Sequence, residues 1–183
     1  MGLSISGDGV AGVLAGVDGA CRVRARRAFA PESPLSVVLA AVRAVHGHLR
    51  QAAAGDVRRI GVAFPGIVDM ATGLVERSVN LQSFEGATLS GLLRGILGNA
   101  MVFDEHSRAK AVAEKWFGLG QDIPSFACID LGMGIGAGLI QDRRVYAPPG
   151  GYAGEIGHII VEPGGAPCRC GRQGCLEAYL SET

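Results

Sequence analysis

Three short runs at the start of the chain alternate apolar with polar or small residues, and the breaks between them fall at Gly7-Asp8-Gly9 and Asp18-Gly19. Period-two alternation divided by such turn residues predicts a three-stranded antiparallel meander over residues 3–28. The period then changes. Val37, Val38, Ala41, Val42, Val45 and Leu49 recur at helical spacing, so a helix is expected to open at Pro34 behind a Ser33 cap and to end near Gly55. His46 and His48 ride on it with no carboxylate or thiol one turn away, which reads as surface placement. The apolar run Ile60 to Phe64, closed by Pro65-Gly66, is the strand after that crossover.

Residues 69–73 read as a turn, 88–97 as a short amphipathic helix and 100–103 as a strand running into Asp104-Glu105-His106. A further helix is expected over about 108–118, with Ala109, Val112, Ala113 and Trp116 on one face. Two more strand-like runs, 126–131 and 135–141, flank Gly132-Met133-Gly134 as a hairpin. The turns at 5–9 and 131–136 are alike, each a Gly-bearing link between strands that would offer backbone amides to a phosphate. That likeness predicts two related lobes, 1–120 and 121–183. The second is expected to be incomplete, because one hairpin and a loop cannot bury both faces of a sheet.

Residues 154–177, GEIGHIIVEPGGAPCRCGRQGCLE, have neither period. They carry His158, Cys168, Cys170 and Cys175 in one stretch, and Pro163-Gly164-Gly165-Ala166-Pro167 lets those side chains converge. Three thiols and an imidazole form a closed tetrahedral set for zinc, with no position left for a catalytic water, so a structural Zn2+ is expected. The competing reading is a disulfide with a satisfied loop histidine. Cys168 and Cys170 lie too close in sequence for an easy bridge, and no leader points to an oxidising compartment. Cys21 and Cys128, in apolar strand-like surroundings, read as small core residues.

Composition narrows the classes. With 48% hydrophobic and 19% charged residues, 183 residues can bury one good core. Lys+Arg and Asp+Glu are both 17, so the totals imply no basic surface for nucleic acid, and 5% aromatic residues provide no stacking platform. No apolar run is long enough to cross a bilayer. A cytoplasmic protein that makes no membrane contact is expected.

GEIGH followed by CxCGxxGCLE resembles the signature of the ROK family of sugar kinases and sugar-responsive repressors. The resemblance covers nearly the whole chain and implies an α/β, actin-like (ribonuclease H-like) ATPase fold, with a complete first lobe and the zinc-loop-bearing start of the second. The order hairpin, hairpin, helix, strand agrees with it. It also implies sugar contacts by Glu155, His158 and Glu177, with Gly66 and Asn80 on the opposite wall and Glu105 and His106 at the positions after the first-lobe strand. Capping a helix start or a loop is the competing role for Glu155 and Glu177. His158 could bind metal through one ring nitrogen and face ligand with the other.

Where family kinases carry an aspartate-glycine turn on the first strand, a threonine in the second phosphate loop and a catalytic aspartate after the first-lobe strand, this chain has Ser4, Met133 and His106. Placing Asp104 at the catalytic position would need a two-residue insertion in the following helix, which rotates its apolar face by more than half a turn. The pattern at 104–109 is instead similar to the repressor branch, which senses xylose or N-acetylglucosamine. The resemblance therefore implies a sugar-sensing or amino-sugar-sensing module, without its helix-turn-helix in this stretch and without kinase activity. DNA would be bound only through a domain absent from the chain, and at least a homodimer is implied. An ATP-dependent sugar kinase is the alternative.

Overall fold

The computed structural model describes residues 1–53, 55, 57–69, 72–148 and 152–181. Its contacts divide the chain into two compact units, Met1–Glu105 and from His106 onward. The expected lobe boundary at 120 thus lies inside the second unit, because the helix that starts at His106 packs on the strands that follow it.

In the first unit the meander forms as expected: β1 (Gly2–Ser6), β2 (Gly9–Ala15) and β3 (Cys21–Ala28) pair antiparallel. α1 (Leu35–Ala52) crosses to β4 (Ile60–Phe64), which lies parallel to β1. β5 (Ile67–Val68) and β6 (Val75–Arg77) form a small ribbon, and α2 (Leu89–Leu97) leads into β7 (Met101–Glu105), parallel to β4. The sheet order is β3-β2-β1-β4-β7.

The α1 stripe buries Val38, Ala41, Val42, Val45 and Leu49 against Leu3, Ile5, Val10 and Val62. Phe64 and Phe84 close the far end, their rings 5.1 Å apart. Thr88 caps α2 by accepting the Gly91 N–H. Ser33 does not cap α1: its hydroxyl turns back onto the Ala30 carbonyl, and Pro34 takes the N-cap position. Of the turn at 69–73, residues 70 and 71 lie outside the described residues, while Gly73 N–H returns to the Asp69 carbonyl at 2.7 Å.

In the second unit α3 (His106–Phe117) precedes β8 (Phe126–Leu131), β9 (Ile135–Gln141) and β10 (Arg144–Val145), an antiparallel sheet in the order β10-β9-β8. α3 buries Ser107, Arg108 and Ala111, whereas Trp116 is 61% exposed, so the expected apolar face is not the buried one. The cause is the closeness of helix to strand. A Cβ on Gly138 would fall on the Ser107 carbonyl and 2.5 Å from Ala111 Cβ, so only small groups fit between α3 and β9. Along β8 the alternation leaves Ile129 and Leu131 exposed. Cys21 is likewise exposed, at the start of the edge strand, where its sulfur accepts the Arg24 Nε–H. It is therefore not a core residue.

Candidate metal centre

Beyond β10 the chain makes one 3-10 turn, Ile156–His158, then a long loop that folds back on itself, then the single-turn helix α4 (Glu177–Leu180). Backbone bonds close the loop crosswise: Val161 N–H to Gly174 O, Gly174 N–H to Ala166 O, Cys168 N–H to Arg172 O and Leu176 N–H to Ile159 O. Gly174 makes the fold-back possible. Its φ is +75°, and a side chain there would land on the Glu162 carbonyl.

This fold-back brings His158, Cys168, Cys170 and Cys175 together, one ligand atom from each, all within 4.8 Å of one another. Cys170 Sγ and Cys175 Sγ are 3.7 Å apart, and Cys168 Sγ is 3.8 Å from His158 Nδ1. A tetrahedral metal with bonds of about 2.3 Å spaces its sulfurs by about 3.8 Å. The residues therefore fit a metal ion. All five cysteines are free thiols, and the three in the loop are buried.

Burial pushes the Cys168 thiol up to about 11. Burial also raises Cys170, but hydrogen bonds from the Arg172 backbone and guanidinium and from Cys168 and Cys175 outweigh it and bring that thiol down to about 7. Cys170 is thus the more readily ionised of these two thiols. His158 directs Nδ1 to the thiols, while its Nε2 lies 3.9 Å from Glu155 Oε2.

Glu177 is 6% exposed; its Oε2 accepts the Ile135 N–H at 2.9 Å, and its Oε1 lies 4.0 Å from Cys168 Sγ. In the second unit His158 and Glu177 thus stand beside Cys168, Glu155 lies on the far side of His158, and His106 opens α3. Gly66, Asn80 and Glu105 belong to the first unit. Gly66 (φ +110°) bends the chain between β4 and β5, and Glu105 ends β7 with its N–H on Asp104 Oδ1. Among the described residues, Asn80 Oδ1 is the buried side-chain oxygen with no hydrogen-bond partner.

Roles for Arg169, Arg172, Glu162 and Tyr179 were not anticipated. Arg172 supports Cys170 and Arg169 donates to the Met133 carbonyl. The Tyr179 hydroxyl donates to Glu162 Oε2 at 2.5 Å and accepts the Ala166 N–H at 2.8 Å. Two arginines interleaved with the cysteines were the available signal for the first pair, since a guanidinium beside a thiolate is favourable. The Tyr179 staple spans 17 residues and leaves no local pattern.

The ROK family profile matches residues 1–183. A glucokinase of Thermotoga maritima is 34% identical over 124 residues, covering 68% of this chain and 39% of the relative. A putative xylose repressor of a Caldicellulosiruptor species is 36% identical over 123 residues, covering 67% and 31%. The solved ROK glucokinase of Streptomyces griseus, in complex with glucose and AMPPNP, superposes with a TM-score of 0.89 at 29% identity, over 98% of this chain and 56% of that one. The match thus spans 39% and 31% of the length of these two curated relatives.

Proposed function

Because the chain belongs to the ROK family and has its actin-like fold, we propose that it is the effector-binding part of a sugar-responsive regulator, held by one structural zinc ion and without phosphoryl-transfer activity. One contrast carries this reading. Of the groups suited to vicinal hydroxyls, His158 and Glu177 stand beside Cys168 and Glu155 faces the other nitrogen of His158, whereas the positions that family likeness gives to phosphate handling and proton acceptance hold Ser4, Met133 and His106. Carboxylates and an imidazole satisfy the donors and acceptors of a polyol in a partly desolvated site. A thioether cannot donate to a phosphate oxygen, and a serine on β1 brings no charge to a magnesium ion.

Zinc on His158, Cys168, Cys170 and Cys175 would hold the loop and leave no position open for chemistry. With Nδ1 on the metal, His158 would keep its proton on Nε2, facing Glu155 and a bound hydroxyl. Within the first unit, Asn80 Oδ1, which has no hydrogen-bond partner among the described residues, is a buried acceptor that a ligand donor would satisfy. Gly66 and Glu105, which ends β7, are the other contacts proposed on the first unit, and His106, which opens α3, is proposed on the second. Reading DNA would fall to a domain outside this chain.

The kinase reading draws on the similar identity of glucokinase relatives and the close superposition on a solved glucokinase. A coupled assay with ATP, magnesium and a panel of sugars separates the two. The sensor reading expects no turnover and no thermal stabilisation by ATP with magnesium. Turnover that is lost in His106→Ala would establish the kinase instead.

A further inference from the structure

Among the described residues, the turn that joins β8 to β9 makes one backbone bond of its own. Residues 132–134 are Gly-Met-Gly, the strand ladder ends at the Leu131 and Ile135 pair, and the Gly132 N–H to Gly134 O contact is the backbone bond within the turn. Its outside partners come from the metal loop. Arg169 donates to the Met133 carbonyl, and Glu177 accepts the Ile135 N–H in a buried bond of 2.9 Å. The 3-10 turn that carries His158 packs on the same strand end, where a side chain on Gly157 would fall on the Ile135 carbonyl.

Both tethers sit beside ligands. Arg169 lies between Cys168 and Cys170, so a metal on those two sulfurs fixes the backbone on either side of it. Glu177 follows Cys175 by two residues and opens a four-residue helix, which is too short to hold its own conformation. The position of Cys175 therefore decides where that carboxylate points. We infer that Arg169 and Glu177 are positioning residues through which metal occupancy at His158, Cys168, Cys170 and Cys175 fixes the turn at 132–134. The loss of the metal frees the turn while the strands behind it remain paired. This rests on metal binding by those four residues and not on the sugar reading.

Amide hydrogen exchange resolved to single residues tests it, because the Ile135 N–H is itself one of the two tethers. The zinc-loaded chain, the chelator-stripped chain and the zinc-reloaded chain are compared, with metal content measured in each. Stripping is expected to speed Ile135 exchange at least tenfold while Ile5 and Val62 in the first unit keep their rates, and reloading restores it. Arg169→Ala and Glu177→Ala, each still holding zinc, are expected to speed Ile135 exchange in the loaded state. Arg169→Lys and Glu177→Gln, which keep a donor and an acceptor, should recover part of the protection. Tyr179→Phe, which cuts the bond to Glu162 elsewhere in the loop, should leave Ile135 slow.

Ile135 exchange that ignores stripping, or stays slow in both zinc-loaded alanine variants, overturns the inference and leaves the metal reading standing. A chain that takes up no zinc overturns both.

Discussion

The four candidate metal ligands are interdependent, because each buried thiol is stable as a thiolate only beside a cation or its hydrogen-bond donors. Cys170→Ser removes the ligand that carries most of those donors. Zinc content should fall from about one per chain toward none, and the melting temperature should fall with it, as elemental analysis and a thermal melt would record. Affinity should also depend on pH with a definite sign. Cys168, raised to about 11, is protonated at neutral pH and must release its proton on binding, so affinity rises with pH. Below about 7 Cys170 must also release one, so the slope should steepen there by about one proton. A chromophoric chelator in competition across pH 5.5–8.5 reads this; a slope that flattens on acidification contradicts it. The convergence of the cysteines and His158 was legible from spacing alone, because soft donors packed into one short stretch are rare outside a metal loop. The Glu177 bond to Ile135 was not: it joins residues 42 apart, which no local pattern records.

Periodicity placed the elements well wherever one face alone is buried. β1 to β4, α1, α2, β8 and β9 fall where alternation or helical spacing put them. The two-residue strands β5 and β10 are too short to carry a period. The buried face of α3 was misread for a physical reason. Hydrophobic size predicts burial against a surface that can accept it, but β9 offers glycine at position 138, and the helix approaches until only Ser107 and Ala111 fit. Gly138→Val should therefore push α3 off the strand and destabilise the fold by about 1–3 kcal/mol. An unchanged denaturation midpoint would show that α3 is not held by this contact. The exposed start of β3 teaches a similar lesson. Cys21 alternates as a core residue would, yet it stands outside because it begins an edge strand.

At the scale of the molecule, sheet order and the cysteine loop agree with family membership. What stayed illegible is the relation between the metal loop and the β8–β9 turn, which depends on side-chain contacts between segments more than thirty residues apart. In the proposed function a metal-ordered loop presents Glu155, His158 and Glu177 to a sugar. Glu155→Gln should weaken that ligand by roughly tenfold and leave the zinc in place, since a charge-assisted hydrogen bond becomes a neutral one. The most direct measurement is a thermal melt of the zinc-loaded chain against hexoses, pentoses, N-acetyl sugars and their phosphates, repeated after the zinc is stripped. One member of the panel, at 100 times its dissociation constant, should stabilise the loaded chain by about 2.7 kcal/mol and the stripped chain by less. No shift with any sugar at millimolar concentration, or an equal shift with and without zinc, would rule out a metal-ordered sugar site.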